Sequence, residues 1–514
     1  MSGGMATRAL TSARARFDEY VERLGDALGH ADRREPLRAY LTGLLLSGER
    51  KSVEPMAAKV DPRHVSTRHQ SMHHFVANAP WDDEEVLAVA VDHVLAQLER
   101  HAPVAAWVVD DTGVPKKGRH SVGVARQYCG VLGKQENCQV AVSVSLVNAT
   151  TSVPAAYRLY LPKSWAADEE RRALAGVPED VVFQEKWRIA LQQLRRMRDD
   201  LDLPAAPVVA DAGYGDVTEF REGIDQLHLS YVVGVKPETT VWPPGKGPKR
   251  PARRASRKGP VPTRLQRDAE HRPVSVRDLA LSLPPAAWRS VAWREGTKGR
   301  MRSRFAAVRV RAAHRDYQLD EPRPEVWLLV EWPPDQPAPT DFWLATVSER
   351  ATLEQLVRLA KLRWRIERDY QELKDEIGLD HYEGRGWRGF HHHGVLCIAA
   401  YAHLVAERAR LSPPSASRLP PRSSPTRRFP PAGRSPCGSS AITPRPSPPS
   451  ASRSNDTCSP RSRTARPATR RACLYDTVVP GRSASTRSKW RATSPQTRAC
   501  AAAEKRCPSS SRRR

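Results

Sequence analysis

The sequence predicts a mixed α/β fold, because the spacing of its apolar residues changes along the chain. Residues 7–100 carry apolar side chains at the intervals typical of helices, for example over 13–28 and 84–98. From residue 104, short β-branched segments typical of strands alternate with segments of helical spacing. Such an alternation forms a sheet covered by helices, so we expect a layered α/β core preceded by a helical region.

The predicted elements divide the body of the chain into four segments. Residues 1–100 are expected to form a helical N-terminal domain, and 101–236 the first part of the core. Residues 237–347 are expected to form a β-rich insertion with a basic loop, and 348–410 the second part of the core. The core strands are predicted at 104–110, 139–147, 157–161, 207–210 and 231–236, the core helix at 183–198, and the strands of the insertion at 304–311, 326–332 and 342–347.

A late helix is predicted to begin after Thr352 and to run to about Ile377. The hydroxyl of Thr352 can cap the helix while Gln355 returns the second bond of a capping box three residues later. A last helix is predicted over 393–410 and includes part of the triplet His391-His392-His393. Three successive histidines cannot converge on one metal ion, and we expect them on the surface or in contact with DNA.

Residues 411–514 differ in kind from the rest of the chain. Ser, Pro, Arg, Thr and Ala dominate this segment, which holds 22 Lys and Arg against 3 Asp and Glu. Such a composition buries too little apolar surface to offset its ordering entropy, so a disordered tail is predicted. Its abrupt start and its composition rich in Arg, Pro, Ser and Ala favour translation of a shifted reading frame over a disordered extension.

The net charge of +26 is unevenly distributed, because +19 lies in residues 411–514 and only +7 in residues 1–410. A mildly basic body with a strongly basic tail favours a polyanionic partner such as nucleic acid. No apolar run is long enough to span a membrane, and the start lacks the pattern of a secretory signal, so a cytoplasmic protein is expected. The eight cysteines form no CxxC pair, which argues against a zinc knuckle or a disulfide framework.

Three carboxylates occur where a layered α/β fold can bring them together. Asp111, in the pair Asp110-Asp111, follows one predicted strand, Asp211 follows another, and Glu367 lies on the late helix. Hard oxygen ligands of this kind hold the two divalent ions that activate attack on a phosphodiester. Strand alternation alone does not separate Asp110 from Asp111.

The late helix carries a second pattern around Glu367. Arg363, Glu367, Tyr370 and Lys374 are spaced four, three and four residues apart and so share one helical face. A carboxylate between two cations and a phenol suits a metal ligand beside a DNA backbone. The alternative is an ordinary solvated face with salt bridges.

The run from Arg363 to Glu367, with Lys374 seven positions later, resembles the Tyr-x2-Arg-x3-Glu-x6-Lys signature of bacterial insertion-sequence DDE transposases. Residues 110–118, 121–130 and 211–215 also resemble that superfamily, in its group seven hundred and one. The resemblance covers roughly residues 30–410. Ala360 occupies the Tyr position of the signature, so that contact is absent or moved to Tyr370.

The resemblance implies an RNase H-like mixed sheet with flanking helices, interrupted by a β-rich insertion before the catalytic helix. It implies that Asp111, Asp211 and Glu367 hold Mg²⁺ or Mn²⁺, and Asp111 is preferred to Asp110 because the family places its Asp directly before Thr. It also implies DNA contacts, which we assign to Arg363, Lys374, Tyr370, Lys116 and Lys117.

The activity implied is cleavage at the ends of an insertion sequence, followed by attack of the freed 3′-hydroxyl on target DNA. Double-stranded DNA and a second copy of the chain are the implied partners, on the bacterial nucleoid. The basic residues within 47–51 and 59–70 make residues 1–100 a candidate for docking the DNA ends, and a purely structural helical cap is the alternative. Two alternatives remain open: a catalytically inactive DNA-binding remnant of a transposase, and a hydrolytic nuclease without strand transfer.

Overall fold

The computed structural model of the 514-residue chain describes residues 2–249, 264–267, 271–296 and 299–411, with side chains from residue 13 onward. The predicted disordered tail, residues 411–514, lies outside the described residues except for Leu411, and so does most of the predicted basic loop. Among the helices of the described part, no helix is both long and apolar enough to cross a membrane.

Helices of the described residues lie at the start and end of the body and between its strands. They are α1 (Ser2–Asp26), α2 (Arg34–Leu45), α3 (Val53–Val60), α4 (Val65–Ala77), α5 (Asp83–His101), α6 (Lys163–Ala166), α7 (Glu169–Ala175), α8 (Lys186–Arg195), α9 (Ala212–Gly215), α10 (Thr218–Gln226), α11 (Val276–Leu281), α12 (Leu353–Ala360), α13 (Trp364–Glu372) and α14 (Trp387–Leu411). The strands are β1 (Ala106–Pro115), β2 (Ala125–Cys129), β3 (Lys134–Val147), β4 (Ser152–Leu159), β5 (Val208–Ala210), β6 (Tyr231–Val235), β7 (Thr240–Trp242), β8 (Val274–Ser275), β9 (Arg289–Gly296), β10 (Gly299–Ala312), β11 (Val326–Trp332) and β12 (Asp341–Ala345).

The centre of the sheet is formed by β4, β3, β1, β5 and β6, in that spatial order. The strand β3 is antiparallel to both β1 and β4, whereas β5 is parallel to β1 and to β6. The predicted mixed α/β fold is therefore confirmed. The short strands β2 and β9 were not predicted, because many of their side chains are exposed and leave no apolar run.

The two faces of β1 pack against different helices. Trp107 and Val109 belong to the same apolar cluster as the buried side chains of α8 and α10. Ala106 and Val108 belong to a second cluster, with the buried side chains of α12 and Ile366 of α13. Since side chains alternate along a strand, this arrangement decides which helices each aspartate of β1 faces.

The β-rich segment continues the core sheet. The strand β12 pairs antiparallel with β6, and β11 and β10 follow outward. Beyond them, β9 and β7 both pair with β10, and β8 pairs with β7. The segment predicted as an insertion thus contributes strands to one edge of the same sheet.

The N-terminal helices share an apolar core with the last helix, α14. The hydroxyl of Tyr20 in α1 donates to the carbonyl oxygen of Ala399 at 2.9 Å, and the Tyr40 hydroxyl of α2 lies 2.9 Å from Nδ1 of His393. Helix α14 is buried on nearly all sides, since it also packs against α4, α5 and β4.

The prediction that His391, His392 and His393 lie on the surface or contact DNA is wrong. All three are buried, and their ring nitrogens contact backbone carbonyls of Trp387, Val76, Trp81 and Gly378 at 3.0 Å. Burial lowers the pKa of His392 to about 3 and that of His393 to about 4. The prediction failed because α14 is a core helix, in which all three histidines are enclosed.

The late helix begins as predicted. Thr352 and Gln355 form both bonds of the capping box at the start of α12. A 3-10 turn at Lys361–Arg363 then separates α12 from α13, and a π-helical turn at Leu373–Ile377 ends the element. Gly378 follows with a φ of +85°, which glycine adopts without strain.

Candidate active site

The predicted carboxylates meet at a cleft of about 530 Å³. Asp211 directly follows β5, as predicted, and Glu367 lies on α13. The prediction that the first aspartates end a strand is wrong, because β1 continues to Pro115 and holds Asp110 and Asp111 in its middle. All four line the cleft, together with Arg363. The fold therefore brings together carboxylates separated by more than 250 positions in sequence.

Asp211 is held by the start of α9. Its Oδ1 accepts hydrogen bonds from the backbone N–H groups of Gly213 at 2.9 Å and Tyr214 at 3.3 Å. An N-cap of this kind fixes the carboxylate and satisfies two amides of the helix. The second oxygen, Oδ2, lies 3.9 Å from a guanidinium nitrogen of Arg363.

Asp110 pairs with the same guanidinium. Arg363 Nη2 lies 3.2 Å from Oδ1 of Asp110. Burial raises the pKa of Asp110 to about 6, and the neighbouring positive charge of Arg363 opposes that rise. Arg363 thus lies beside two carboxylates that would otherwise repel each other.

Asp111 has different partners. Its Oδ2 accepts a 2.6 Å hydrogen bond from Nζ of Lys186, at the start of α8, and its Oδ1 accepts one from the hydroxyl of Tyr214. Burial raises the pKa of Tyr214 well above its ordinary value, so the phenol remains a proton donor. Asp111 is therefore held by α8 and α9, not by α13.

The alternation of the sheet explains this division. Asp110 follows Val108 on the face covered by α12 and α13, whereas Asp111 follows Val109 on the face covered by α8 and α10. Val209 lies in the cluster of α12 and α13, so Asp211, two residues later, shares the face of Asp110.

Comparison with known proteins identifies the family of the chain. The family model of the DDE superfamily endonucleases matches residues 23–300, which is more than half of the chain and includes both aspartate segments. The chain belongs to the DDE superfamily of endonucleases. The matched range ends before Glu367, so the inclusion of that residue in the DDE site rests on the helix pattern and on the geometry of the cleft.

A probable transposase for insertion sequence element IS701 from Microchaete diplosiphon is 32% identical to the chain over 170 residues. The match covers 32% of this chain and 40% of the relative. The chain thus spans less than half the length of the curated relative it matches. This similarity agrees with the resemblance inferred from the sequence motifs.

In this DDE endonuclease, two of the five predicted DNA contacts are buried. Lys374 lies under the cleft, where its Nζ donates a 2.9 Å hydrogen bond to the carbonyl oxygen of Gly113. Burial lowers the pKa of Lys374 and raises that of Tyr370. Both side chains line the cleft from below, and contact between them and DNA stays a prediction.

The other predicted DNA contacts lie nearer to the surface. Lys116 donates to the carbonyl oxygen of Tyr382 at 2.7 Å, and burial lowers its pKa. Lys117 is exposed. Arg363 is partly exposed and lies beside Asp110 in the cleft, and its contact with DNA stays a prediction.

Two residues of the site were missed from the sequence. Tyr214 lies within the motif Asp211-Ala212-Gly213-Tyr214-Gly215, in which the sequence assigns a role only to Asp211. Lys186 lies outside every motif, and no local pattern connects it with Asp111, 75 positions earlier. Only the packing of α8 against the sheet brings the two together.

The carboxylates of the cleft fit a divalent cation in their chemistry. Asp110, Asp111, Asp211 and Glu367 offer hard carboxylate oxygens, which Mg²⁺ and Mn²⁺ prefer. Among the described residues, however, no three His, Cys, Asp or Glu side chains already form a group that could hold a metal ion. Three of the four instead pair with cations of the chain: Asp110 and Asp211 with Arg363, and Asp111 with Lys186.

Proposed function

We propose that the chain is a DDE transposase that cuts the ends of an insertion sequence and joins them to target DNA. The observation that carries the proposal is the convergence of Asp110, Asp111, Asp211 and Glu367 on one cleft with Arg363. Four carboxylates around a cleft attract divalent cations, and a neighbouring guanidinium offers bidentate contact to a phosphate. Chemistry on a phosphodiester uses both groups.

We further propose that the core is RNase H-like. Support comes from the strand order β4-β3-β1-β5-β6, with three antiparallel strands followed by two parallel ones. Aspartates in the central strand and after its parallel neighbour, and a glutamate on a helix that packs over them, agree with a DDE site on such a sheet. Residues 237–347 then form a β-rich extension, and residues 1–100 the region that docks the DNA ends.

Asp211 and Glu367 are proposed as two metal ligands, and the pair Asp110-Asp111 supplies the third. The order of the family motif favours Asp111, as inferred from the sequence. The alternation of β1 favours Asp110, which shares its face with Asp211 and α13. Since the two residues have different partners, substitution of each can decide between them.

A bound Mg²⁺ or Mn²⁺ would lower the pKa of a water molecule and stabilise charge on the leaving oxygen. The chain's own residues prepare the site for this chemistry. The N-cap bonds fix Asp211, Lys186 and Tyr214 fix Asp111, and Arg363 is placed to bind a phosphate oxygen of the scissile strand. When a phosphate draws Arg363 away from Asp110 and Asp211, both carboxylates become available as ligands.

The proposed partners are double-stranded DNA, as element ends and target, and a second copy of the chain. A reaction that joins two ends to one target requires both ends in one complex, which a homodimer provides. We place this reaction on the nucleoid in the bacterial cytoplasm.

The test is a cleavage assay on labelled duplexes that carry the terminal repeats flanking the gene. With Mg²⁺ or Mn²⁺, the full chain is expected to give cut ends and products joined to a target plasmid, and Asp211→Asn is expected to give neither. Cut ends without joined products would indicate a hydrolytic nuclease. Specific binding without any cutting would indicate an inactive remnant, and either result would overturn the proposal.

A further inference from the structure

A hairpin at the edge of the sheet exposes three large apolar side chains beside the cleft. The strands β2 and β3 are joined by a short 3-10 turn at Gly130–Leu132. Around it, Tyr128 is 61% exposed, Val131 59% and Leu132 42%. We call residues 128–133 the hairpin tip.

The hairpin tip extends past the end of the central strand. The last residue of β1, Pro115, pairs with Cys138, so residues 134–137 of β3 are paired mainly with β2. A two-stranded ribbon therefore projects from the sheet at the end of β1 that follows the aspartates. Its exposed apolar side chains do not pack into the protein core, and a contiguous exposed apolar patch of this kind marks an interaction site.

The ribbon is attached firmly beside the carboxylates. Cys129 is fully buried, and its Sγ would lie only 2.9 Å from a Cβ added to Gly113, two residues after Asp111. The same Gly113 accepts the hydrogen bond of Lys374. Tyr128, Gly130 and Val131 line the same cleft as Asp110, Asp211 and Glu367, so the apolar tip and the carboxylates face one space.

Charges around the tip favour an anionic occupant. Arg126 is exposed two residues before Tyr128, on the same side of β2, and Lys134 is exposed directly after the turn. Lys134 pairs with Glu136 at 3.3 Å, a contact between exposed groups that contributes little stability. Cations beside exposed aromatic and branched apolar side chains are the combination that binds single-stranded nucleic acid, through phosphates and through stacked bases.

We propose that the hairpin tip stacks on a base that has left the duplex next to the scissile phosphate. The ring of Tyr128 stacks on the base, and the side chains of Val131 and Leu132 fill the space that the base leaves in the duplex. This step opens the end of the duplex so that the strand can reach the carboxylates. The inference rests on the proposed function, because it assigns a DNA strand to the same cleft.

The main test compares Tyr128→Ala with Tyr128→Phe on two duplex ends, one fully paired and one mismatched at the bases next to the cleavage site. Tyr128→Ala should slow cutting of the paired end about tenfold, the usual order for loss of one stacking contact. The mismatched end, in which the bases are already unpaired, should be cut at a rate near that of the unsubstituted chain. Tyr128→Phe keeps the ring and should resemble the unsubstituted chain on both ends.

Tyr317→Ala is the matched control, because Tyr317 is a 47% exposed tyrosine that does not line this cleft. Equal losses on paired and mismatched ends, or no loss with Tyr128→Ala, would overturn the proposal. So would an effect of Tyr128→Ala on dimer formation in sedimentation that accounts for the lost cutting, since the tip would then be a surface between two copies.

A binding measurement separates this proposal from the proposed function. With Ca²⁺ in place of Mg²⁺, 2-aminopurine next to the cleavage site should become more fluorescent when the full chain binds, and Tyr128→Ala should abolish that rise. If the chain cuts no DNA but the rise depends on Tyr128, the proposed activity fails and the stacking contact stands. If no rise occurs on binding, the stacking contact fails whatever the cutting assay shows.

Discussion

The guanidinium of Arg363 lies 3.2 Å from the carboxylate of Asp110 and 3.9 Å from that of Asp211. One cation is thus shared by two carboxylates, one within β1 and one directly after β5. Because the same cation is proposed to bind phosphate, DNA and the two aspartates compete for it.

Substitution of Arg363 should therefore separate metal binding from DNA cleavage. Arg363→Ala is expected to slow cleavage at least about tenfold, since a charge-assisted contact to phosphate is lost. Its affinity for Mn²⁺, measured by calorimetry without DNA, should be kept or increased, because the carboxylates no longer have a competing cation. Arg363→Lys keeps the positive charge but loses the bidentate guanidinium. Its cleavage rate should lie between those of the unsubstituted chain and Arg363→Ala. Loss of Mn²⁺ binding with normal DNA binding would refute the assigned role.

The carboxylates are tested by isosteric substitutions. Asp211→Asn and Glu367→Gln should each reduce cleavage by about a hundredfold or more, because a metal ligand is lost, while DNA binding in gel shifts stays nearly unchanged. Asp375→Asn is a matched control, since Asp375 lines the same cleft without a proposed role as a ligand. Cleavage by either variant at the rate of the unsubstituted chain would remove that residue from the site.

The pair Asp110 and Asp111 is compared in the same assay. From the family motif, Asp111→Asn should abolish cleavage and Asp110→Asn should have a milder effect. The reverse ranking would show that the face of β1 toward α13 carries the ligand. Lys186→Met removes the hydrogen bond that holds Asp111. If Asp111 is the metal ligand, this substitution should slow cleavage, and if Asp110 is the ligand, the cleavage rate should stay unchanged.

Lys374 is expected to support the site from below. Lys374→Ala removes the donor to the buried carbonyl oxygen of Gly113, which should cost about 1–3 kcal/mol of the free energy of unfolding. Lys374→Met keeps an apolar side chain of similar length, so it should restore the part of the free energy of unfolding that comes from packing but not the part that comes from the hydrogen bond. Thermal and urea unfolding measure both effects. Unchanged stability together with weaker DNA binding would instead support the predicted contact with phosphate.

Acid should destabilise the fold through His393. Burial lowers its pKa from 6.5 to about 4, so between these values the unfolded chain binds a proton that the folded chain does not. The free energy of unfolding should thus fall as the pH falls below about 6.5, by up to about 1.4 kcal/mol per pH unit, and this contribution should be fully lost below about 4. His393→Gln should unfold more easily at neutral pH but with a shallower pH dependence, whereas the exposed His120→Gln should change neither.

Residues 412–514 are tested through their charge. If their cationic side chains contact DNA, deletion should flatten the decline of DNA affinity with salt concentration, because fewer counterions are released on binding. Titrations of the full and shortened chains at several salt concentrations measure the slope. An identical slope would show that this segment makes no contact with phosphate.

The sequence could predict those parts of the site in which a functional side chain lies in or beside a local pattern of secondary structure. Asp111 and Asp211 were recognised because each lies within or directly after a buried β-branched run, and the start of the Glu367 helix because Thr352 and Gln355 complete a local motif. Lys186 was missed because its contact depends on the packing of α8. The burial of His392 in α14 was not predicted because its ring contacts Val76 and Trp81, more than 300 residues earlier in the chain.

The pairing of β12 with β6 has a consequence for attempts to shorten the chain. The strand β6 has β5 on one side and β12 on the other, so removal of residues 237–347 would leave one side of a buried strand with unpaired N–H and C=O groups. An open edge of this kind recruits other chains and leads to aggregation. The β-rich segment therefore covers an edge of the core sheet that would otherwise be open. A minimal catalytic fragment will have to retain at least β12 or replace it with another strand.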